Sequence, residues 1–390
     1  MEASTKKNRN IWGSRVPGAG GRGVGHAVSS DTMKFGWMTL SLSPSAADDL
    51  ASVHQQLEQG VLAEAMGFDY LWLTEHNFTG ECAYADPIPF AGALAVRTSR
   101  ARLGFAVLQM ALHHPVRLAI QLAVLDNLSR GRLEVGIGRG SSYNEYEYLG
   151  FGLRSDDSRD RMEEAVEVLR RAWTEEPFVH DGKFFSVRLP AVRPRPVQRP
   201  HPPIWRSVIA VESLVACGRA GIPVMMSRVP NAKIPERLAR YREGLEAGGH
   251  DAATQRRLLG EASVWRFLYV ADSEAQAEDD VNEATLRYRQ HMHHVRDAYN
   301  PSDFHVNAAA MNPWMDPAVS HPDGVRFVLE TGALYGTARR VAEQVAALRE
   351  VGLGHVMCQA SWGGLAHDKA MASLRRFGEH VAPAFRERQR

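Results

Sequence analysis

At 390 residues and 44% hydrophobic content, the chain can bury a large core, either as one α/β barrel or as two ordinary domains. A formal net charge of +1 argues against a nucleic-acid binder, which usually carries a basic surplus. The three cysteines, Cys82, Cys217 and Cys358, fit neither a zinc pattern nor a disulfide framework and suit a reducing cytoplasm, and no apolar run approaches the roughly 20 residues that span a bilayer.

Residues 1–32 are rich in Gly, Ser, Lys and Arg and carry almost no periodic apolar positions, so they bury too little to offset the entropy of ordering. They also lack the apolar stretch of a secretory signal. The expectation is a disordered extension over 1–32 and one folded domain over 33–390.

Lys34 to Leu40 reads as a strand, and Ala46 to Met66 as a helix closed by Gly67. Asp69 to Thr74 is a second strand, running into Glu75-His76-Asn77. A helix from Pro87 to Thr98 and a third strand from Leu103 to Gln109 follow. Pro115 opens the next helix, in which Leu118, Leu122 and Leu125 recur at helical spacing, and Arg132 to Ile137 is a fourth, alternating strand. It ends in Gly138-Arg139-Gly140-Ser141-Ser142, where backbone N–H groups, two hydroxyls and a permanent cation supply the equipment for holding an anion. Asp160 to Thr174 is a helix with Met162, Ala165, Val166, Leu169 and Trp173 on one face.

Six prolines between Pro190 and Pro203 forbid regular helix, and Val179 to Val187 suggests a hairpin inside a long excursion. Further strands are expected at 204–209, 222–226, 262–270 and 355–358. Helices are expected at 212–220, 234–247, 274–291, 337–351 and 368–379, with an irregular stretch over Val295 to Val325. Eight strands alternating with helices predict a parallel sheet, and long inserts after particular strands favour a (β/α)8 TIM barrel over an open doubly wound sheet. No Gly-x-Gly-x-x-Gly follows the first strand.

Catalytic groups of such barrels sit at the C-terminal strand ends. Here those ends offer Glu75, His76 and Asn77, then Gln109, Arg139, Ser141 and Ser142, then Ser227, Arg228 and Gln359. No His, Asp and Glu cluster has metal-ligand spacing, and no Gly-x-Ser-x-Gly elbow occurs. The set suits holding a cofactor that brings its own chemistry. His76 is the candidate proton carrier, or else a structural histidine paired with Glu75 or a carbonyl. Arg159, before the helix after the fourth strand, is either an anion ligand or a solvated charge. Ser207 and Ser213 bracket a strand-to-helix turn whose free N–H groups form a natural phosphate seat.

Taken together, several passages resemble the bacterial luciferase-like flavin monooxygenases. They are Thr98 to Gly104, His114 to Ala119, Leu125 to Gly140, Thr74-Glu75-His76, Ser158-Arg159 with Glu163-Glu164, Arg193-Pro194 to Pro203-Ile204-Trp205, Gly332 to Thr337, and Ser373-Leu374 with Phe377 and Val381-Ala382-Pro383. The resemblance implies a barrel that binds FMN at its C-terminal mouth. The flavin, reduced by a separate reductase, would react with dioxygen to a flavin hydroperoxide that oxygenates a small organic substrate by hydroxylation or Baeyer–Villiger chemistry. His76, with Glu75, then matches the family's functional histidine. Arg139, Ser141 and Ser142 match the cofactor loop, Arg159, Ile209, Ala210 and Ser213 the phosphate side, and Ala106 and Gln109 the strand under the ring. A homodimer is implied. Asn77 and Gly138 depart from the luciferases' second histidine and reactive cysteine, which disfavours light emission. Two alternatives stay open: a deazaflavin-dependent oxidoreductase on the same barrel, or a non-catalytic flavin-binding protein.

Overall fold

The computed structural model describes residues 32–40, 42–227, 229–306 and 312–386. Most of the expected N-terminal extension, and Arg228, lie outside them.

The chain begins with strand β1 (Lys34–Thr39) and helix α1 (Asp49–Ala65), then β2 (Tyr70–Leu73) and α2 (Pro87–Arg97). The third strand is divided into β3 (Arg102–Phe105) and a two-residue β4 (Leu108–Gln109), with a cis Ala106–Val107 peptide between them. The sequence had implied one continuous strand there. Helix α3 (Pro115–Leu128) and β5 (Leu133–Gly138) lead to a short α4 (Glu145–Gly150) and to α5 (Ser158–Thr174). The proline-rich excursion carries the hairpin β6 (Phe178–Asp181) and β7 (Ser186–Leu189) before β8 (Ile204–Val208), α6 (Val211–Ala220) and β9 (Val224–Met226). The rest is α7 (Ile234–Ala247), α8 (Ala252–Glu261), β10 (Ser263–Val270), α9 (Glu274–Tyr299), α10 (His321–Gly332), β11 (Ala333–Gly336), α11 (Ala338–Glu350), β12 (His355–Gln359) and α12 (His367–Arg376).

Parallel pairing runs β1–β2–β3–β5–β8–β9–β10–β12 and returns from β12 to β1, which closes an eight-stranded barrel. The chain is thus the expected (β/α)8 barrel. Burial on both faces is what such strands require, and β2, β5 and β12 are buried at every position. Alternation decides which face each residue serves. Trp37, Leu71 and Leu73 pack outward against helices, whereas Met38, Tyr70 and Trp72 join Trp205, Met225 and Met357 inside. Trp72 stacks on Tyr70 at 5.2 Å and meets Trp205 edge-on at 5.2 Å, so the barrel interior is a packed aromatic plug.

Two segments differ from expectation. Helix α9 continues to Tyr299 instead of stopping at His291, and α10 begins at His321, so the irregular stretch is shorter than Val295 to Val325. Arg289 explains much of this. Buried on α9, it donates to the carbonyls of Pro313, Trp314, Asp316 and Val319 and contacts His321 Nδ1 at 2.8 Å, gathering the excursion around one guanidinium. The sequence reading also lacked β11, which adds in parallel to the upper half of β10.

Candidate active site

Strand β2 ends at Leu73, and the chain leaves the barrel through Thr74-Glu75-His76-Asn77. The structure joins Glu75 and His76 to Gln109 through two groups that sequence reasoning missed, Glu147 on α4 and His113 before α3. His76 Nδ1 lies 3.0 Å from Glu147 Oε1, which also accepts the Asn77 N–H at 2.9 Å. The second oxygen of Glu147 accepts from Gln109 Nε2 at 3.0 Å. Glu75 has another duty. Its carboxylate accepts the Gln109 N–H at 2.7 Å and contacts His113 Nε2 at 2.9 Å, so it locks β4 to β2, while the partner of His76 is Glu147 and not Glu75.

Electrostatics follow from this packing. Burial alone would lower the pKa of His76, but the carboxylates of Glu81 and Glu147 outweigh it and raise the imidazole to about 9, with Arg296 opposing. Glu147 is itself buried, which pushes its pKa up, yet the His76 charge and three donors hold it below the ordinary carboxylate value. His76 is therefore a cation at neutral pH, with Nδ1–H committed to Glu147 and Nε2–H its remaining donor. His113 is raised in the same way, against its burial, by Glu75.

Beside this network Gln109 Oε1 is buried without a hydrogen-bond partner. It faces Gly140, whose φ of +114° suits glycine and whose missing Cβ would collide with Gln109 Oε1 and the Tyr148 hydroxyl. Tyr148 donates to the Arg139 carbonyl at 2.8 Å, fixing the loop, and Ser141 Oγ accepts the Tyr143 N–H at 3.2 Å. The Arg139 side chain is exposed, and Ser142 is half-buried next to Ser141. Ala106 and Val107 are partly buried on the interior cluster beside Trp265, an apolar floor under the loop.

The second group lies around β8. Ile209 is 69% exposed, and Ala210 and Ser213 stand at the start of α6, where no side chain caps the free N–H groups. Arg159 is exposed in the first turn of α5. It shares a helix face with Glu163 four residues on, and Glu163 pairs with Arg206 of β8, which brings the start of α5 towards the β8 exit. Among the described residues, no hydrogen bond or ion pair joins Arg159, Ile209, Ala210 or Ser213 to the His76 group.

Helix α9 covers one side of the mouth. Arg296 donates to Asn144 Oδ1 at 2.9 Å, Asn300 Nδ2 donates to the Tyr143 carbonyl at 2.9 Å, and Tyr288 donates to Glu81 at 3.1 Å. Of the aromatics after the glycine loop, Tyr146 and Tyr148 are buried, whereas Phe151 is exposed and packs on Phe78 at 5.4 Å. Glu147 stands between two tyrosines in Tyr146-Glu147-Tyr148, and only the fold shows that it is buried and needs a charged partner.

Comparison with known proteins agrees with this fold. The family described as Luciferase-like monooxygenase matches residues 33–355. The oxygenase component of the flavin-dependent trigonelline monooxygenase of Acinetobacter baylyi is 25% identical, covering 85% of this chain and 90% of that protein. Limonene 1,2-monooxygenase of Rhodococcus erythropolis is 28% identical, covering 90% and 86%. A monooxygenase from Streptomyces bottropensis superposes with a TM-score of 0.76 at 28% identity, covering 90% of this chain and all of that one. The oxygenating constituent of 3,6-diketocamphane monooxygenase from Pseudomonas putida, in complex with FMN, shares the fold at a TM-score of 0.70 and 18% identity, covering 90% and 98%. An F420-dependent secondary alcohol dehydrogenase shares it at 0.69 and 19%, covering 91% and 100%. The chain belongs to the luciferase-like monooxygenase family, and it is an oxidoreductase.

Proposed function

We propose that the protein is the oxygenase component of a two-component system, using FMN reduced by a separate flavin reductase, with dioxygen, to oxygenate a small organic substrate by hydroxylation or Baeyer–Villiger chemistry. The observation that carries this reading is the pairing of a protonated His76 with an apolar floor and an unpartnered acceptor at the same barrel mouth. The residues suit the group. Gln109 Oε1 is a free acceptor for the imide N–H of the ring, the glycine at 140 clears space, and Ala106 and Val107 offer an apolar seat. Arg139, Ser141 and Ser142 would hold the ribityl side. Arg159 and the uncapped turn of Ile209, Ala210 and Ser213 would hold the phosphate.

Bound reduced FMN would supply the electrons that activate dioxygen. The chain's own residues do the rest. Glu147 fixes the imidazole through Nδ1, and His76 presents Nε2–H as proton donor to the reacting oxygen. Glu75 positions Gln109. The bonds of Arg296 and Asn300 to Asn144 and Tyr143 hold the end of α9 against the β5 loop and limit water there. Cytoplasmic location and a homodimer belong to the same proposal. Val96 on α2, with Val124 and Leu128 on α3, forms an exposed apolar face on neighbouring helices that a second copy would cover.

Anaerobic titration with reduced FMN, riboflavin and F420 tests the cofactor. The expected order is FMN first, with riboflavin weaker for want of its phosphate. Preference for F420, which the fold neighbour makes the second reading, would replace oxygenation with hydride transfer.

A further inference from the structure

Glu81 lies five residues beyond His76, on the loop that follows β2. Its side chain is 3% exposed. One oxygen accepts the Tyr288 hydroxyl at 3.1 Å, while Oε2 has no hydrogen-bond partner and sits 4.0 Å from His76 Nδ1. That nitrogen is already committed to Glu147, so Glu81 adds charge beside the imidazolium without sharing its proton. A buried carboxylate with so few hydrogen bonds is costly, and a donor arriving from outside removes the cost. His291 repeats the pattern. It stands three residues after Tyr288 on the same face of α9, its imidazole kept neutral by burial against the opposing pull of Glu81. Its buried Nε2 has no hydrogen-bond partner, and a neutral ring can accept at that nitrogen. Two acceptors at the mouth thus lack a donor.

We propose that Glu81 recognises the substrate, its free Oε2 accepting a hydrogen bond from an O–H or N–H group, with His291 Nε2 as a second acceptor. The substrate class is then a hydroxylated or amine-bearing molecule, a phenol, alcohol or amine, and not a bare hydrocarbon. This rests on the mouth being the oxygenation site.

The test is a ligand-observed NMR titration of the full chain, with and without FMN, using phenol and anisole, which share a ring and differ in the donor. The wild type is expected to hold phenol roughly tenfold more tightly than anisole, the scale of one hydrogen bond to a charged group. Glu81→Gln keeps an acceptor for Tyr288 but turns the free oxygen into an amide donor, and should abolish the preference. Glu81→Asp, which shortens the reach, should weaken it and serves if the first variant does not fold. Equal affinity for the two probes, binding of neither, or an unchanged preference in both variants would overturn the assignment. Loss of FMN binding alongside an intact phenol preference would instead count against the flavin reading.

Discussion

His76 is flanked by Glu147 at 3.0 Å and Glu81 at 4.0 Å, and this sets its charge before any ligand binds. With a folded pKa of about 9 against an ordinary 6.5, its contribution to stability is complete below about 6.5 and is lost as pH rises through about 9. Glu147, held below its ordinary value, works in the opposite sense: its contribution is present above the ordinary carboxylate pKa and is lost on acidification through the folded value. NMR titration of the His76 ring should show the elevated pKa in the wild type and a marked fall in Glu147→Gln, whereas equal values would detach the two groups. Turnover should stay level through neutrality and decline near pH 9. His76→Ala should lower turnover roughly 100-fold or more while leaving flavin affinity nearly intact; unchanged turnover would remove it from the mechanism. Arg159→Ala should weaken FMN binding more than riboflavin binding, and equal loss would make the residue structural. Glu75, His76 and Gln109 were legible because barrel strand ends are where chemistry collects. Glu147, Glu81 and Arg296 were not, because each arrives from a loop or helix whose place over the mouth is fixed only by tertiary packing.

At the level of elements, all eight barrel strands were readable from runs of apolar residues bounded by turns and alternating with helical periodicity. The failures have a common cause. The final turns of α9 read Arg289-Gln290-His291-Met292-His293-His294-Val295-Arg296, a polar stretch with weak periodicity, because this helix faces polar groups at the mouth as well as core. Tertiary contacts hold it, chiefly the buried Arg289 and its four carbonyls. Removing that cation leaves four carbonyls without their donor, that of the buried Trp314 among them. Arg289→Leu should therefore cost about 3 kcal/mol of stability and speed proteolysis between residues 300 and 320. A variant as stable and as resistant as the wild type would show that Arg289 does not secure the excursion. The division of β3 from β4 was equally hidden, since nothing in Leu103 to Gln109 marks a break at Ala106 and Val107.

Across the whole molecule, the barrel separates its packed interior from the candidate site. Its interior is filled by Tyr70, Trp72 and Trp205, and His355 at the start of β12 is kept neutral by burial, its pKa pushed down to about 3. The C-terminal mouth carries the charged network. Met33 N–H donates to the Phe385 carbonyl at 2.8 Å and Lys34 N–H to the Gly354 carbonyl at 2.8 Å, tying the first strand into the barrel; removing residues 1–31 is expected to leave the melting temperature unchanged, and a clear drop would assign that segment a structural role. On the proposed function, this mouth binds reduced FMN and governs its reaction with dioxygen. The most direct test is to load the protein anaerobically with reduced FMN, mix it rapidly with oxygenated buffer and follow flavin absorbance. The expected result is a protected transient that outlives the reaction of free reduced flavin and whose decay quickens with a true substrate. Reoxidation at the rate of free flavin, or no binding, would contradict it.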